Sequence, residues 1–198
     1  METTKPKFTR INQDDVVFFQ CDIQVKMAKL IPNLETVAHN ASRLAKAAKI
    51  FNIPIIVTEQ YIKAFGETYP EITSEYPVDQ KSYEKTVFSM LTEEVEGDLS
   101  KLGVSTVVLY GIEAHVCIQQ TALDLLEKGY NVFVLTDTLL SSREIERSTA
   151  IVRMTQAGVQ MTTLESALFE IMKSSKHEEF KNILEIVKDV PKGCISKL

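Results

Sequence analysis

The sequence predicts an α/β protein with a mostly parallel sheet and helices on both faces of that sheet. Two observations support this prediction: short, wholly apolar segments of strand length, and amphipathic segments with helical spacing that alternate with them. Strands that are covered on both faces show no polar alternation. Strands that alternate with helices usually form βαβ units, in which the strands are parallel.

The first part of the chain supplies two strands and a helix before the pattern becomes irregular. VVFFQC, residues 16 to 21, and IPIIVTE, residues 53 to 59, are compact apolar runs. Between them, residues 33 to 50 carry apolar side chains at helical spacing. Residues 60 to 84 are rich in proline, aromatic and polar residues without a clean period, so we expect a long loop of the kind that is often functional.

The rest of the chain repeats strand and helix at short intervals. An extended piece at 85–90 precedes a helix at 91–103 that Gly103 can cap, and STVVLYG at 105–111 is typical of a buried strand. The remaining predicted elements are a helix at 114–128, a strand at 131–136, a helix at 142–157, a strand at 159–163 and helices at 164–173 and near 178–189.

Composition limits the class of protein. The 198 residues are 44% hydrophobic and 25% charged, which suits one globular domain over residues 1–198 with one substantial core. The net charge of −5 disfavours a nucleic-acid partner, because phosphate binding needs a concentrated positive field. No apolar run approaches the ~20 residues that span a bilayer, and METTKPKFTR lacks the apolar segment of a secretory signal. We therefore expect an intracellular protein without a membrane partner.

The cysteines and the end of the chain add two further expectations. Cys21, Cys117 and Cys194 are odd in number and widely spaced, with no CxxC pair or zinc-like spacing, so we expect reduced thiols and no metal or cofactor. The last residues, Ser196 to Leu198, read SKL, which is the form of an address for the peroxisomal import receptor. The alternative is a helical tail that ends in these residues by chance.

Asp22 directly follows the first apolar strand. Ligands of parallel α/β sheets bind beyond the carboxyl ends of the strands, so its carboxylate is a candidate general base. The alternative is a helix cap or turn residue, and position alone leaves both open. Lys85 is by pattern an ordinary surface charge with Glu84 beside it, although a lysine next to the pocket could stabilise a thiolate.

Cys117 lies in the first turn of the helix that follows the strand ending at Gly111. Free amides and the positive end of a helix dipole favour the thiolate there, and the same amides can hold an oxyanion. A single cysteine is as often a small packing residue, and the pattern leaves the two interpretations open. Cys21, inside VVFFQC, suits packing, and Cys194 suits an incidental position in a loose tail.

Three motifs in register resemble the isochorismatase-like cysteine hydrolase family. They are CDIQ at 21–24, EKTVFSM at 84–90 and GIEAHVCIQQTALDLLEKGYNVFVLTD at 111–137. The nearest likeness is to the isochorismatase domain-containing proteins of eukaryotes, which also show a segment like VTEQY at 57–61. The resemblance covers about residues 14 to 185 and implies a three-layer, Rossmann-like fold.

The resemblance also implies an Asp-Lys-Cys triad. Asp22 would be the base, Lys85 the electrostatic partner and Cys117 the nucleophile, with a thioester as the intermediate. This reverses the surface interpretation of Lys85. The family further implies a cis peptide bond between Ile112 and Glu113, in a turn that would aim the amides of Glu113 and Cys117 at the oxyanion.

One departure from the family restricts the substrate. Nicotinamidases of this family bind a metal through an aspartate and histidines after the second strand, but TEQYIKAFGE contains neither residue type, so nicotinamide hydrolysis is disfavoured. His39 and His177 lie elsewhere and suit the surface. Candidate pocket residues lie near the loop and before the nucleophile: Gln60, Tyr61, Phe65, Phe88 and His115. For the four residues near the loop, the alternative is that they only pack the loop against the rest of the protein.

Two functions remain open at this point. The first is a metal-independent thiol hydrolase that acts on a small amide, imide or related molecule. The second is a protein-interaction or redox-sensitive module on a retained hydrolase fold. Members of the family commonly form homo-oligomers, and we expect the same here.

Overall fold

The computed structural model describes residues 9–190, so the SKL end and Cys194 lie outside the described residues. Its centre is a six-stranded sheet with the order β3-β2-β1-β4-β5-β6, in which all paired strands are parallel. The strands are β1 (Val16–Cys21), β2 (Ile55–Gln60), β3 (Ser82–Lys85), β4 (Thr106–Ile112), β5 (Asn131–Leu140) and β6 (Gln160–Thr162).

Helices connect the strands and cover both faces of the sheet. They are α1 (Leu34–Phe51), α2 (Ile62–Phe65), α3 (Pro70–Thr73), α4 (Glu93–Leu102), α5 (Gln119–Glu127), α6 (Glu144–Ala157), α7 (Leu164–Met172) and α8 (Phe180–Lys188). A π-helix, Ala114–Ile118, precedes α5, and short 3₁₀ turns lie at Gln13–Asp15 and Val25–Lys29. None of the helices within residues 9–190 is both long and apolar enough to cross a membrane. The predicted α/β class and its parallel, helix-covered sheet are confirmed.

The side chains of β1 divide the core into two layers. Phe18 packs in the layer that contains α1, α7 and α8, whereas Phe19 packs in the layer that contains α4, α5 and α6. All six residues of the strand are buried because both faces are covered. Cys21 therefore falls on the same side of the sheet as Phe19, the side that carries α5.

Side-chain hydrogen bonds and one glycine fix the ends of α4 and the last turn of α8. The side chain of Thr92 accepts a hydrogen bond from the amide of Val95 at the start of α4, and Gly103 ends that helix in the left-handed region. The buried guanidinium of Arg43 in α1 donates to the carbonyls of Ile186 and Val187, which lie in the last turn of α8. The last described helix is thereby tied to the face of the sheet that α1 covers.

Three predicted boundaries were wrong. Residues 60–84 are not one irregular loop, because they contain α2, α3 and most of β3. The strand near Lys85 ends at that residue instead of starting there, because Ser82–Lys85 pairs with the end of β2. Finally, β5 continues to Leu140, since its second half pairs with the end of β4 after a register shift. In each case tertiary pairing, which local periodicity does not report, sets the boundary.

Candidate active site

The carboxyl ends of β1 and β3 and the turn after β4 bring Asp22, Lys85 and Cys117 together. Asp22 immediately follows β1, Lys85 is the last residue of β3, and Cys117 lies in the π-helix after β4. Asp22 has a φ of 52°, a left-handed conformation that aspartate tolerates better than most residues. This backbone bend ends the strand and leaves the carboxylate at the edge of the sheet.

Both carboxylate oxygens of Asp22 have partners. The hydroxyl of Thr58 donates to Oδ1 at 2.8 Å, and Nζ of Lys85 donates to Oδ2 at 2.7 Å. The side chains of Asp22 and Lys85 are 1% and 0% exposed, respectively. A buried ion pair of this kind needs further hydrogen bonds to offset its desolvation, and the Thr58 contact is one of them.

Lys85 is held by four acceptors. Besides Asp22, its ammonium donates to Oε1 of Gln60 at 2.7 Å and to the carbonyls of Val87 and Phe88 at 3.3 and 3.0 Å. Burial by itself lowers the pKa of Lys85, but the two neighbouring cysteines, the carboxylate of Asp22 and the hydrogen bond to that carboxylate together raise it above its ordinary value. Lys85 is therefore a cation at neutral pH.

Cys117 lies directly beside this ion pair. Its Sγ, the Sγ of Cys21 and a carboxylate oxygen of Asp22 all lie within 4.8 Å of one another. Cys117 is 7% exposed, so its thiol is nearly enclosed. The carbonyl of Glu113 accepts hydrogen bonds from the amides of Val116 and Ile118, on either side of Cys117. Cys117 thus lies in the first turn of the helix, close to the positive end of the helix dipole, which favours an anion.

The turn before Cys117 is tightly constrained. The peptide bond between Ile112 and Glu113 is cis, at the position that the resemblance implies. The preceding Gly111 has a φ of 124°, and a Cβ atom there would lie 2.1 Å from the carbonyl oxygen of Cys21. Only glycine allows the ends of β1 and β4 to approach this closely.

Thr121 was not predicted from the sequence, although it links two parts of the site. Its hydroxyl donates to the carbonyl of Cys117 at 2.6 Å and accepts from the amide of Met90 at 2.8 Å. Met90 ends the segment whose carbonyls hold Lys85. One buried hydroxyl therefore connects the segment around the lysine to the helix that carries the cysteine. A threonine on the buried face of an amphipathic helix gives no sequence signal for this role.

The side chain of Glu113 faces the next turn of the fold. Its Oε2 accepts a hydrogen bond from the amide of Ser142 at 2.7 Å. Nδ1 of His115 lies 3.1 Å from Oγ of Ser141 and 3.9 Å from Oε2 of Glu113. These contacts hold the turn after β5 against the segment that carries Cys117.

The predicted pocket residues have different environments. Gln60 belongs to the site, since its amide oxygen binds Lys85 and its Nε2 donates to the carbonyl of Thr86. Tyr61 and Phe88 are 45% and 51% exposed, and the amide of Tyr61 donates to the carbonyl of Lys85. Phe65, in contrast, packs against the core layer that contains α1.

The packing interpretation of Cys21 is confirmed, because the residue is fully buried in the core layer with Phe19, and the structure adds that Cys21 also borders the site. Its Sγ donates to Oδ2 of Asp22 at 3.5 Å and lies within 4.8 Å of Sγ of Cys117. Burial, the hydrogen bond with Cys117 and the negative charge of Asp22 raise the pKa of Cys21 well above its ordinary value. Cys21 is therefore a protonated thiol at neutral pH. Because VVFFQC is apolar on both faces, its pattern did not indicate which side Cys21 would take.

Cys21, Asp22 and Cys117 are also a set of donor atoms that could hold a metal ion. The ammonium of Lys85, which already binds Oδ2 of Asp22, places a positive charge against that position and opposes a cation. His39 and His177 lie away from the site: His39 contacts Glu71 at 2.7 Å, and His177 packs edge-on against Phe51. The geometry thus favours an acid–lysine–thiol cluster over a metal centre.

These features define an α/β protein whose candidate site lies at the carboxyl edge of a parallel sheet and contains a buried carboxylate beside a thiol. The family model for the isochorismatase domain matches residues 16–166. The chain belongs to the isochorismatase family, and its fold is that of an isochorismatase-family hydrolase.

Known proteins resemble the chain over most of its length. Isochorismatase domain-containing protein 2 of Xenopus laevis is 40% identical over 179 residues, which cover 90% of this chain and 86% of that protein. The structure of MAR1 ribonuclease from Caenorhabditis elegans has a TM-score of 0.90 and 38% identity, and covers 96% of this chain and 98% of that one. YcaC from Pseudomonas aeruginosa, solved with hexane-2,5-diol and covalent acrylamide, has a TM-score of 0.83 and 26% identity, with coverage of 91% and 93%.

Proposed function

We propose that the protein is a metal-independent cysteine hydrolase of a small amide, imide or related molecule. The observation that carries this proposal is the buried contact of Lys85 with Asp22, at 2.7 Å, beside the thiol of Cys117. The near-complete enclosure of these three side chains supports a small substrate. The family membership supports hydrolysis as the reaction class.

In the proposed first step, Asp22 takes the proton of Cys117 and the thiolate attacks the carbonyl carbon. The negative charge moves from the carboxylate to the sulfur, while Lys85 balances it in both states. Such a transfer avoids leaving an unpaired charge in a buried site. The amides of Glu113 and Cys117 would hold the oxyanion of the tetrahedral intermediate.

The second half of the cycle releases the two products. The amine leaves with the proton that Asp22 received, and a thioester on Cys117 remains. Asp22 then takes a proton from water, which attacks the thioester, and the proton returns to the departing sulfur. The carboxylic acid leaves, and the thiol and carboxylate are restored.

The test has two parts, namely reactivity of the thiol and turnover. Alkylation of Cys117 by iodoacetamide or acrylamide, mapped by mass spectrometry against pH, should be faster near neutrality in the wild type than in Asp22→Asn or Lys85→Ala. Acrylamide is a fitting probe because the YcaC structure contains it in covalent form. Cys194→Ser is the control that removes a thiol outside the described residues. Identical alkylation profiles in all four proteins would refute an assembled triad.

Turnover is measured by ammonia or amine release from a library of small amides and imides. Cys117→Ser and Asp22→Asn should lose activity by roughly 10³-fold or more, as expected when a nucleophile or its base is removed. Cys194→Ser should retain it. An activity that survives Cys117→Ser unchanged would remove the thiol from the reaction.

RNA is a competing substrate class because the C. elegans neighbour is called a ribonuclease. The net charge of −5 argues against it for this chain, since phosphate binding is driven by concentrated positive charge. We expect a labelled RNA to stay intact in the wild type. RNA cleavage that disappears in Cys117→Ser would replace the amide proposal.

A homo-oligomer is also proposed. Tyr61, Val87 and Phe88, all near Lys85 in the chain or in space, are 45%, 55% and 51% exposed, and apolar groups of this size favour burial between copies. Light scattering of the purified protein should give a mass above that of one chain. A monomer over the micromolar range would contradict this.

A further inference from the structure

Two thiols lie together in the site although the proposed hydrolysis uses only one. Sγ of Cys21 and Sγ of Cys117 are within 4.8 Å of one another. Cys117 is 7% exposed, whereas Cys21 is completely buried. The accessible thiol and the enclosed thiol therefore differ in which reagents can reach them.

We propose that Cys21 and Cys117 form a peroxide-sensitive thiol pair, in which oxidation of Cys117 is followed by an intramolecular disulfide with Cys21. The modification acts on the same cysteine as the hydrolysis, so its effect on activity rests on the proposed function. Formation of the disulfide bond itself does not rest on the proposed function.

The first step is oxidation of Cys117 by a hydroperoxide such as H₂O₂. The thiolate sulfur attacks one peroxide oxygen, the O–O bond breaks, and the second oxygen leaves as hydroxide and becomes water by taking the thiol's proton. Sulfur is oxidised by two electrons to the sulfenic acid and the peroxide is reduced. H₂O₂ is small enough for a thiol with 7% exposure.

The second step joins the two sulfurs. The sulfur of Cys21 attacks the sulfenic sulfur of Cys117, the S–O bond breaks, and hydroxide leaves as water with the proton of the Cys21 thiol. Asp22 is placed to carry that proton, because Sγ of Cys21 donates to its Oδ2 at 3.5 Å. The products are one disulfide and one water.

The surroundings favour Cys21 over an external thiol as the reaction partner. A peptide-sized thiol has little access to a sulfur that is 7% exposed, whereas Cys21 already lies within 4.8 Å. A disulfide requires the sulfurs to close to about 2 Å. Because burial raises the pKa of Cys21, this thiol stays protonated until it reacts and is the poorer target for the peroxide itself.

The experiment treats the reduced, full-length protein with increasing H₂O₂, blocks the remaining thiols under denaturing conditions, and maps the unreduced peptides by mass spectrometry. The wild type and Cys194→Ser should both yield a peptide in which Cys21 is linked to Cys117. Dithiothreitol should remove the link. In Cys21→Ala, dimedone should trap the sulfenic acid of Cys117, and longer exposure should give the sulfinic acid.

Cys117→Ser is the matched control, and its Cys21 should stay reduced at the same peroxide concentration. The proposal is overturned if Cys194→Ser gives no Cys21–Cys117 link while Cys117 is oxidised further, or if Cys117 remains unmodified. Because the wild type and Cys194→Ser decide the outcome, a Cys21→Ala protein that fails to fold does not affect it, and Cys21→Ser then replaces that variant.

Activity distinguishes this proposal from the preceding one. If the enzyme hydrolyses a small amide, peroxide should abolish turnover in step with the linked peptide, and dithiothreitol should restore most of it in the wild type but little in Cys21→Ala. If no turnover is found but the link forms, the hydrolase proposal fails and the thiol pair stands.

Discussion

Nζ of Lys85 lies 2.7 Å from Oδ2 of Asp22, and the two side chains are almost completely buried. Lys85 ends β3 and Asp22 follows β1, two strands that are not neighbours in the sheet. The lysine reaches over the end of β2, where Gln60 supplies another acceptor for its ammonium. Because each charge offsets the other in a buried position, we expect the pair to affect the free energy of unfolding as well as the reactivity of the thiol.

Removal of one member of the pair should therefore be more damaging than removal of both. Lys85→Met leaves the carboxylate of Asp22 buried without its cation, and we expect it to lower the free energy of unfolding by about 3–5 kcal/mol. Asp22→Asn combined with Lys85→Met should recover a substantial part of that loss. Urea unfolding of the three proteins measures it, and a double variant less stable than Lys85→Met would contradict the pairing argument.

Thr121→Val should loosen the connection between Cys117 and the segment that ends at Met90. The valine has a similar shape but leaves the buried amide of Met90 without the acceptor at 2.8 Å. We expect a loss of about 1–3 kcal/mol in the free energy of unfolding. Thr121→Ser keeps the hydroxyl and should behave more like the wild type. Equal stability of the valine and serine variants would show that the hydrogen bonds are unimportant.

Alanine substitutions at two glycines compare a position where a Cβ atom would clash with one where it would not. Gly111→Ala would place a Cβ atom 2.1 Å from the carbonyl oxygen of Cys21, at a φ of 124°, so we expect loss of the folded protein or a destabilisation of more than about 4 kcal/mol. Gly97 lies inside α4, and apart from its chain neighbours and the backbone of its own helix, no atom of residues 9–190 lies within 4 Å of an added Cβ. Gly97→Ala should stabilise by about 0.5–1 kcal/mol. Thermal unfolding distinguishes the two, and a tolerated Gly111→Ala would contradict the expected clash between the strand ends.

Stability should fall at alkaline pH. Burial raises the pKa values of Cys21 and Tyr110, and neighbouring negative groups outweigh burial to raise that of Lys85, so the folded protein binds more protons than the unfolded chain at high pH. Their contribution is complete below the unfolded pKa values and is lost as the pH rises towards the folded ones. Urea unfolding should show the loss starting above about pH 8.5, where an exposed thiol ionises.

Cys21→Ala supplies the control for that pH dependence. The variant removes one of the groups with a raised pKa, so its free energy of unfolding should fall less steeply between pH 8 and 10 than that of the wild type. Its stability at pH 7 can differ from the wild type because a buried side chain has been shortened, and only the slope is compared. An unchanged slope would show that Cys21 does not ionise on unfolding in this range.

Much of the layered fold follows from local pattern. Runs such as VVFFQC predicted buried strands because they are apolar on both faces, and the periodic segment that became α1 predicted a helix. The position of Asp22 directly after β1 also followed from the sequence, because parallel strands present their carboxyl ends at one edge. The chain's extent as one domain stays a prediction.

The position of Lys85 in the site could not be predicted from local pattern. By pattern it is a surface lysine, and only the family resemblance made it part of the site. In the structure it ends an edge strand paired with β2, and its side chain crosses to Asp22. No local rule reports this, because the contact depends on the order of strands in the sheet.

The sequence by itself determined the alternation of strands and helices, the place of Asp22 at a strand end and that of Cys117 in the first turn of a helix. Only the tertiary structure decided that Cys21 shares the space of Cys117 and that Thr121 joins Cys117 to Met90. The physical reason is that hydrophobic periodicity reports burial within one element. Distances between elements instead come from sheet order and register, which place Cys21 opposite Gly111 and so bring β1 against the turn that leads to Cys117.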